Sequence, residues 1–180
     1  MKKYFFVALF LFASMNGKGQ LFMTRTGFIG FYSQTSLENI KAENNQVYAV
    51  IDPVKKNLAF TLLMKGFVFE KELMQEHFNE NYAETDKFPK ANFTGTYTGN
   101  VDLTKEAVYN ITVAGSLTIH GVTKNIDLPA TLEVNAGKLL GHAHFRVRPE
   151  DYNILIPSLV RDKIAAMMDV NVTIDCTTVK

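Results

Sequence analysis

The sequence has one cysteine, Cys176, and no tryptophan among its 180 residues. A single thiol cannot close an intramolecular disulfide, so the hydrophobic core has to stabilise the fold by itself. Cys176 falls on the apolar side of an alternating segment, and no charged partner is indicated near it. We therefore expect a buried, unreactive thiol rather than a nucleophile.

The sequence also lacks the patterns of common catalytic sites, such as a G-x-S-x-G nucleophile elbow or a glycine-rich phosphate loop. His142 and His144 are two apart in a predicted strand, so their rings point the same way and could share a metal. Arg146 and Arg148 lie on that same face and disfavour a cation, which favours a solvent-facing polar stripe. We predict no enzymatic activity, no metal site and no cofactor.

The N-terminus has the pattern of a secretory signal peptide. Lys2 and Lys3 precede an apolar run at 4–13, and small residues follow at Gly17 and Gly19. The run is too short to span a bilayer. We predict a cleaved signal peptide at residues 1–19 and a soluble protein, periplasmic or secreted, formed by residues 20–180.

Charge is nearly balanced in this predicted mature chain. The full sequence has 19 basic and 18 acidic residues, and the leader holds three lysines and no acidic residue, which leaves 16 basic against 18 acidic and a formal net charge of −2. Such a balance gives no attraction to nucleic acid or to anionic lipid headgroups. The length and the absence of repeats or linkers predict a single domain over 20–180.

The longest regular pattern is an alternation of apolar and polar residues over 109–134, interrupted at His120 and Gly121. A period of two over so many residues indicates extended chain with one buried face and one wet face. Gly121 allows a tight turn, so the segment is predicted to be a β-hairpin of an antiparallel sheet. We expect His120 to be a turn residue with a local hydrogen bond.

Shorter alternating segments extend this sheet on both sides. In the first of them, Gly27 and Gly30 are expected to mark a bulge or a sharp bend, as a closing barrel needs. Residues 36–40 are predicted to form a loop or a single helical turn. Besides the hairpin, strands are predicted at residues 21–33, 46–52, 58–64, 92–98, 138–148 and 168–177.

One clear helical candidate lies at residues 71–82, where apolar side chains such as Phe78 and Tyr82 recur near the three-and-four spacing of a helix face. An irregular stretch at 149–165 contains Pro157, which is well placed to start a short helix. The sequence therefore predicts an all-β fold of eight antiparallel strands, with one short helix after the third strand and an irregular or short helical crossover before the last. Such a sheet can remove its edges by closing into a barrel with room for one slender ligand.

Two stretches resemble a known family. They are GSLTIHGVTK at 115–124, followed by the alternating NIDL at 125–128, and LMQEHFNENY at 73–82, followed by KFPKANF at 87–93. Together they are similar to the YceI-like family of secreted lipid- or polyisoprenoid-binding proteins, over nearly all of the mature chain. The resemblance implies a lipocalin-like barrel that holds an extended isoprenoid chain. Asn153 stands where better-known members carry glycine, and asparagine can adopt the left-handed backbone.

Aromatic residues are numerous, with 14 Phe and 7 Tyr in the sequence. Their number exceeds what a narrow, fully packed barrel would hold on its inward face, which favours an apolar pocket over a filled core. The predicted ligand-binding residues are Phe28, Phe31, Phe60, Leu62, Phe67, Phe69, Phe78, Tyr82, Phe93, Tyr97, Leu117, Ile119, Leu128, Leu132, Phe145 and Ile154.

These observations predict an exported lipid-binding protein that holds a polyisoprenoid, quinone or similar long-chain amphiphile inside the barrel for carriage, storage or sequestration. The alternative is a non-catalytic protein-interaction or stress-response module with a filled barrel. A long-chain lipid is the predicted partner and nucleic acid is not. Transient membrane contact is left open, and so is the oligomeric state, a dimer included.

Overall fold

A computed structural model describes residues 20–179, so the predicted signal peptide lies outside the described residues. Nine strands make up one antiparallel sheet. Their bounds are β1 (Phe22–Gln34), β2 (Asn39–Asp52), β3 (Asn57–Leu63), β4 (Val68–Phe69), β5 (Lys90–Thr98), β6 (Ala107–Ile119), β7 (Val122–Asn135), β8 (Lys138–Val147) and β9 (Met168–Thr178).

Eight of these strands close into a barrel. Each long strand pairs with its neighbours in the order β1-β2-β3-β5-β6-β7-β8-β9, and β9 pairs back onto β1. The two-residue β4 pairs with the first half of β2, on the edge that binds β3 further along, and places Phe69 opposite Ala42. The prediction of an eight-stranded antiparallel barrel is confirmed, with β4 as a short addition.

The predicted hairpin at 109–134 is the long pair β6–β7, in register over its full length from Ala107 opposite Val134 to Ile119 opposite Val122. Only His120 and Gly121 connect the two strands, and both have positive φ angles of 50° and 72°. Two such residues form the turn whose twist matches a right-handed strand pair.

Strand β1 bends where it must contact two neighbours. Its register with β2 shifts on either side of Gly27, and its register with β9 shifts between Met23 and Phe28. Near Gly27 a Cβ atom would lie 3.0 Å from a methyl carbon of Ile174. The predicted bulge is therefore confirmed at Gly27, whereas Gly30 pairs regularly with Glu43.

Strand β2 begins earlier than the sequence predicts. Strand pairing starts at Asn39, so the predicted strand start at 46 is wrong. The predicted loop is confirmed at residues 36–38, whereas residues 39 and 40 belong to the strand. The buried positions of β2 change phase between Asn44 and Val47, which hides the alternation. Fully buried Asn44 stabilises this point: its side-chain amide donates to the Leu63 carbonyl at 3.0 Å, and its Oδ1 accepts from the Gln46 N–H at 2.8 Å.

Short helical pieces gather at one end of the barrel. Helix α1 (Glu72–His77) continues into a π-helical turn (Phe78–Tyr82), where the predicted helix at 71–82 was expected. Two 3-10 helices, Pro149–Tyr152 and Ser158–Lys163, form the crossover from β8 to β9. A further 3-10 turn, Met64–Gly66, follows β3. No helix in residues 20–179 combines the length and apolar character needed to cross a bilayer.

The opposite end of the barrel is filled by side chains. Phe22, Tyr97, Val134, Leu139 and Cys176 belong to one buried cluster and are almost inaccessible to solvent. Burial raises the pKa of the Cys176 thiol to about 12. A thiol with this pKa stays protonated at neutral pH, which agrees with the expectation of an unreactive cysteine.

Strands β5 and β6 approach each other closely at a glycine pair. Gly95 lies opposite Gly115, and the ring of Phe93 packs over both. A Cβ on Gly115 would lie 2.6 Å from the Gly95 Cα and 2.8 Å from the Phe93 ring, and would also contact the Thr94 carbonyl oxygen. The strand backbone cannot accommodate a side chain there.

We expect Gly115→Ala to lower the free energy of unfolding by about 1–3 kcal/mol, because the added methyl group overpacks this contact. Chemical denaturation measures the change. The matched control is Ala114→Ser, which adds one atom on the exposed face of the same strand and should change stability by no more than about 0.5 kcal/mol. Equal effects of the two substitutions would contradict the interpretation.

Candidate ligand-binding cavity

The barrel interior contains an apolar cavity of about 370 Å³. Its lining runs from inward residues of the barrel strands, such as Ile51 and Ile174, to residues of α1, the π-helical turn and the crossover. Below it lies the filled end of the barrel, which forms a floor. The mouth therefore lies between the helix and the crossover. The filled-barrel alternative requires an interior packed solid with side chains. The cavity does not agree with that requirement.

The structure brings together 14 of the 16 residues that the sequence predicted for the ligand site. They come from six strands, the segment around β4, the π-helical turn and the crossover. These residues are Phe31, Phe60, Leu62, Phe67, Phe69, Phe78, Tyr82, Phe93, Leu117, Ile119, Leu128, Leu132, Phe145 and Ile154.

Phe28, a predicted site residue, does not line the cavity. The bulge at Gly27 inverts the phase of β1, so Ile29 and Phe31 line the cavity. Phe28 lies on the other face with Gly30, where a Cβ atom would lie 3.0 Å from the Phe28 ring. The inserted residue thus moves Phe28 to the outside of the barrel.

Tyr97, also a predicted site residue, faces inward but lies outside the cavity. It belongs to the filled end of the barrel, where it is buried with Leu139 and Cys176. Its hydroxyl donates to the carbonyl oxygen of Pro53 in the β2–β3 turn at 3.5 Å. Burial raises the pKa of this hydroxyl. Tyr97 therefore packs beneath the cavity rather than along its wall.

The sequence prediction missed most of the crossover. Ile154 was predicted, whereas Ile156, Val160 and Ile164 line the cavity as well. The available signal was the apolar run of Ile154, Leu155 and Ile156, of which the structure turns Ile154 and Ile156 towards the cavity and leaves Leu155 exposed. The irregular backbone of this stretch, which includes Asn153 in the left-handed conformation at φ 57°, concealed it.

Four phenylalanine rings fasten the helical segment to the barrel beside the mouth. Phe31 of β1 contacts Phe67, Phe69 and Phe78 with ring centroids 5.1–5.8 Å apart. Phe78 in turn contacts Phe67 and Phe69 at 5.7 and 5.1 Å. Edge-to-face and tilted arrangements at these distances are favourable aromatic geometry. We name Phe31, Phe67, Phe69 and Phe78 the phenylalanine cluster.

The cavity exists because several inward positions hold small residues. Ala91, Ala130 and Ala143 all lie along its wall. Ala130 pairs directly with Ala143 across β7 and β8, so the inward side chains of both strands are short at this point. An eight-stranded barrel is just wide enough for side chains to fill. Small side chains at neighbouring positions therefore leave open space.

Charged side chains in the cavity lining occur at its mouth. Glu38 follows the β1–β2 turn and binds Lys71 at 2.6 Å, and this hydrogen bond keeps the pKa of its carboxyl below the usual value. Lys163, on the crossover, lines the opening and is exposed. His77 of α1 also lies at this rim and is exposed, as expected for a residue at the edge of a pocket.

His120 ties together three segments around the mouth. Its Nδ1 lies 3.1 Å from the Tyr152 carbonyl oxygen, and its Nε2 lies 3.0 Å from the Glu84 carboxylate. The ring also packs on Phe88 at 4.2 Å. His120 is the predicted turn residue, but its hydrogen bonds reach 32 and 36 residues along the chain, so the expectation of a local bond is wrong.

The histidine stripe on β8 faces outward. His142 lies 3.3 Å from the Thr173 hydroxyl, and His144 and Arg146 both contact the carboxylate of Asp169, at 3.4 and 2.9 Å. In residues 20–179 no group of three or more His, Cys, Asp or Glu side chains is arranged to hold a metal ion.

The closed antiparallel barrel with one apolar cavity mouth has the lipocalin-like architecture. A family model described as YceI-like domain matches residues 22–179. The chain belongs to the YceI-like family. A comparison with curated proteins finds no match.

Solved structures share this fold at low sequence identity. A polyisoprenoid binding domain from Saccharophagus degradans, described as implicated in plant cell wall breakdown, is 15% identical with a TM-score of 0.75 and covers 88% of this chain and 98% of its own. BcnA of Burkholderia cenocepacia is 13% identical with a TM-score of 0.70, covering 84% and 96%. The YceI protein of Campylobacter jejuni is 21% identical with a TM-score of 0.60, covering 82% and 89%.

The contacts of Glu84 predict a pH dependence of stability. Hydrogen bonds from Lys87 first, and then from His120, lower the pKa of the Glu84 carboxyl from its ordinary 4.5. The stabilisation is therefore present above pH 4.5 and is lost as the pH falls through the lowered value. We expect Glu84→Gln to reduce the melting temperature at pH 7 and to leave it unchanged near the acid end of the titration.

Differential scanning fluorimetry across this pH range measures the difference between wild type and variant. The control is Asp175→Asn, which removes an exposed ion pair with Lys138 and should have little effect at any pH. A constant difference between wild type and Glu84→Gln from neutral to strongly acidic pH would contradict the assignment.

Proposed function

We propose that this protein is exported and holds one long-chain amphiphile, such as a polyisoprenoid or a quinone, inside the barrel for carriage, storage or sequestration. The observation that carries the proposal is the cavity of about 370 Å³, whose lining is almost entirely aliphatic and aromatic. Its volume lies in the range of roughly 300–1,000 Å³ that is typical of ligand pockets. The wall offers an apolar chain extensive contact and few polar partners.

The shape of the lining supports an elongated ligand. The wall extends from Ile51 and Leu132, just above the filled end, to Ile154 and Ile164 at the crossover. The polar side chains Glu38 and Lys163 are confined to the mouth. An amphiphile would therefore place its apolar tail along the barrel axis and its polar end at the opening. Burial of the tail supplies the binding energy.

Two further observations agree with this function. The Saccharophagus degradans domain with the same fold is described as polyisoprenoid binding. The N-terminal pattern of residues 1–19 is that of a secretory leader, which supports export. A ligand of this class is poorly soluble in water, so a carrier with an enclosed apolar cavity suits transport through an aqueous compartment.

Organic extraction of the purified protein, followed by mass spectrometry, tests the proposal directly. We expect a long-chain lipid in stoichiometric amount, because an apolar cavity of this size favours occupation by an apolar molecule over water. The extract of an unrelated exported protein purified in parallel identifies background lipid. An extract free of long-chain lipid, from protein that also fails to take up added lipid, would contradict it.

Filling the cavity should abolish binding without unfolding the barrel. We expect Ala143→Leu to place its side chain in the open space beside Ala130 and to weaken lipid retention more than tenfold, about 1.4 kcal/mol of binding. The free energy of unfolding should change little, because the added atoms enter a void. Lipid per mole of folded protein and chemical denaturation measure the two effects.

The matched control creates a void away from the cavity. Leu139 lies two residues before Gly141 on the same strand, but it is fully buried in the filled end. Leu139→Ala should lower the free energy of unfolding by about 2–5 kcal/mol and leave lipid per folded molecule unchanged. If instead Ala143→Leu retained lipid as well as wild type does, the cavity would not be the binding site.

A further inference from the structure

Four leucines around the cavity mouth are strongly exposed to solvent. Leu159 and Leu155 of the crossover are 92% and 77% exposed, Leu37 of the β1–β2 turn is 65% exposed, and Leu73 of α1 is 61% exposed. Single exposed apolar residues are ordinary on a protein surface. Four leucines placed around one opening form a set, which we name the leucine rim.

Each leucine of the rim is adjacent in sequence to a residue that lines the cavity. Leu155 lies between Ile154 and Ile156, and Leu159 precedes Val160. In the same way, Leu37 precedes Glu38 and Leu73 precedes Met74, and both of these neighbours line the cavity. The crossover is therefore apolar on both its faces. The apolar surface continues from the cavity wall over the mouth to the outside.

The contacts of the rim hold it in place. Lys71 at the start of α1 binds Glu38 beside Leu37 at 2.6 Å. The backbone N–H of Ala165, at the end of the crossover, donates to the hydroxyl of buried Ser33 near the end of β1 at 2.8 Å. Three separate segments thus present leucines from fixed positions around the opening.

The charges beside the rim are mixed. Glu38 and Lys71 neutralise each other, and on the crossover Arg161 and Lys163 flank Asp162. Glu70 and Glu72 flank Lys71 at the start of α1. This surface has no cationic excess that would seek anionic lipids, so a contact with it depends on apolar burial. Lysine stems at the edge of such a contact can extend their ammonium groups to water.

We propose that the leucine rim docks on the surface of a lipid bilayer, so that the cavity opens directly into the acyl region. The inference rests on the proposed function, because a ligand that leaves through this mouth passes between the four leucines. A bilayer covers all three rim segments at once and accepts apolar side chains at unequal heights. Such docking lets a long-chain lipid move between bilayer and cavity without crossing water.

A vesicle-binding experiment with the purified protein tests the proposal. Flotation with phosphatidylcholine vesicles, which carry no net charge, should recover the wild-type protein with the vesicles. The double substitution Leu155→Ser and Leu159→Ser should reduce the bound fraction at least tenfold, because it removes the two most exposed leucines. Binding should persist when the salt concentration is raised, since exposed charge contacts are screened and apolar contacts are not.

The matched control removes exposed apolar side chains far from the mouth. Val54 in the β2–β3 turn and Val108 near the start of β6 are 71% and 62% exposed. Val54→Ser with Val108→Ser should leave vesicle binding unchanged. Melting temperatures of all variants verify that they are folded. Equal losses in the two double variants, or absence of vesicle binding by the wild type, would overturn the proposal.

Two further measurements separate the outcomes. Analytical ultracentrifugation tests whether the rim instead joins two copies of the chain. If the wild type were a dimer, the rim variant a monomer, and the wild type did not bind vesicles, docking on a bilayer would be overturned. Lipid content of the rim variant tests the cavity separately, because Leu155 and Leu159 do not line it. A rim variant that retains lipid but no longer binds vesicles supports the proposal. Wild-type protein without lipid would instead contradict the proposed function.

Discussion

The barrel depends on the ability of β1 to pair with two strands at once. One edge of β1 bonds to β2 and the other to β9, and the register shifts at Gly27 allow the strand to bend between them. Without this double pairing the eight long strands would form an open sheet with two free edges. No disulfide supports the closure, because Cys176 is the only cysteine. Interstrand hydrogen bonds and the core at the filled end therefore carry the stability.

The same closure produces the cavity. Eight strands set the internal diameter, and inward side chains decide how much of it is filled. At one end Tyr97, Leu139 and their neighbours fill the interior, whereas neighbouring small residues such as Ala130 and Ala143 leave it open towards the mouth. Atoms that line a void lack partners for dispersion contacts. An apolar ligand that enters would supply these contacts, so ligand binding would complete the packing of the interior.

Much of this architecture follows from the alternation in the sequence. The hairpin β6–β7 keeps one phase throughout, so its buried face could be predicted residue by residue. The prediction and the structure differ where the phase changes: the bulge at Gly27 turns Phe28 outward, and the phase change between Asn44 and Val47 concealed the first half of β2. A bulge is one inserted residue, and alternation alone does not reveal which residue it is. Tyr97 lies outside the cavity for another reason, since alternation predicts the face of a residue but not its height along the barrel axis.

The local pattern of the sequence does not predict contacts between segments that are distant along the chain. His120 was predicted as a turn residue, and its conformation agrees, but its partners Glu84 and Tyr152 come from two other connections. The phenylalanine cluster likewise joins β1 to residues that follow β3. Apolar composition predicted that these rings would be buried, while their mutual packing depends on the three-dimensional path of the chain.

The strands of the barrel and the helical pieces at its mouth differ in their backbone hydrogen bonds. This difference separates local opening of the mouth from unfolding of the barrel. Amides within the long strands bond across the closed sheet, so their hydrogen exchange requires extensive unfolding. The pieces around the mouth are a six-residue α-helix, a π-helical turn and two 3-10 helices, each with few backbone hydrogen bonds of its own. Their amides can exchange through local opening while the strands stay intact. The entrance can therefore open on a shorter timescale than the barrel unfolds. A bulky ligand can enter while the strands of the barrel stay paired.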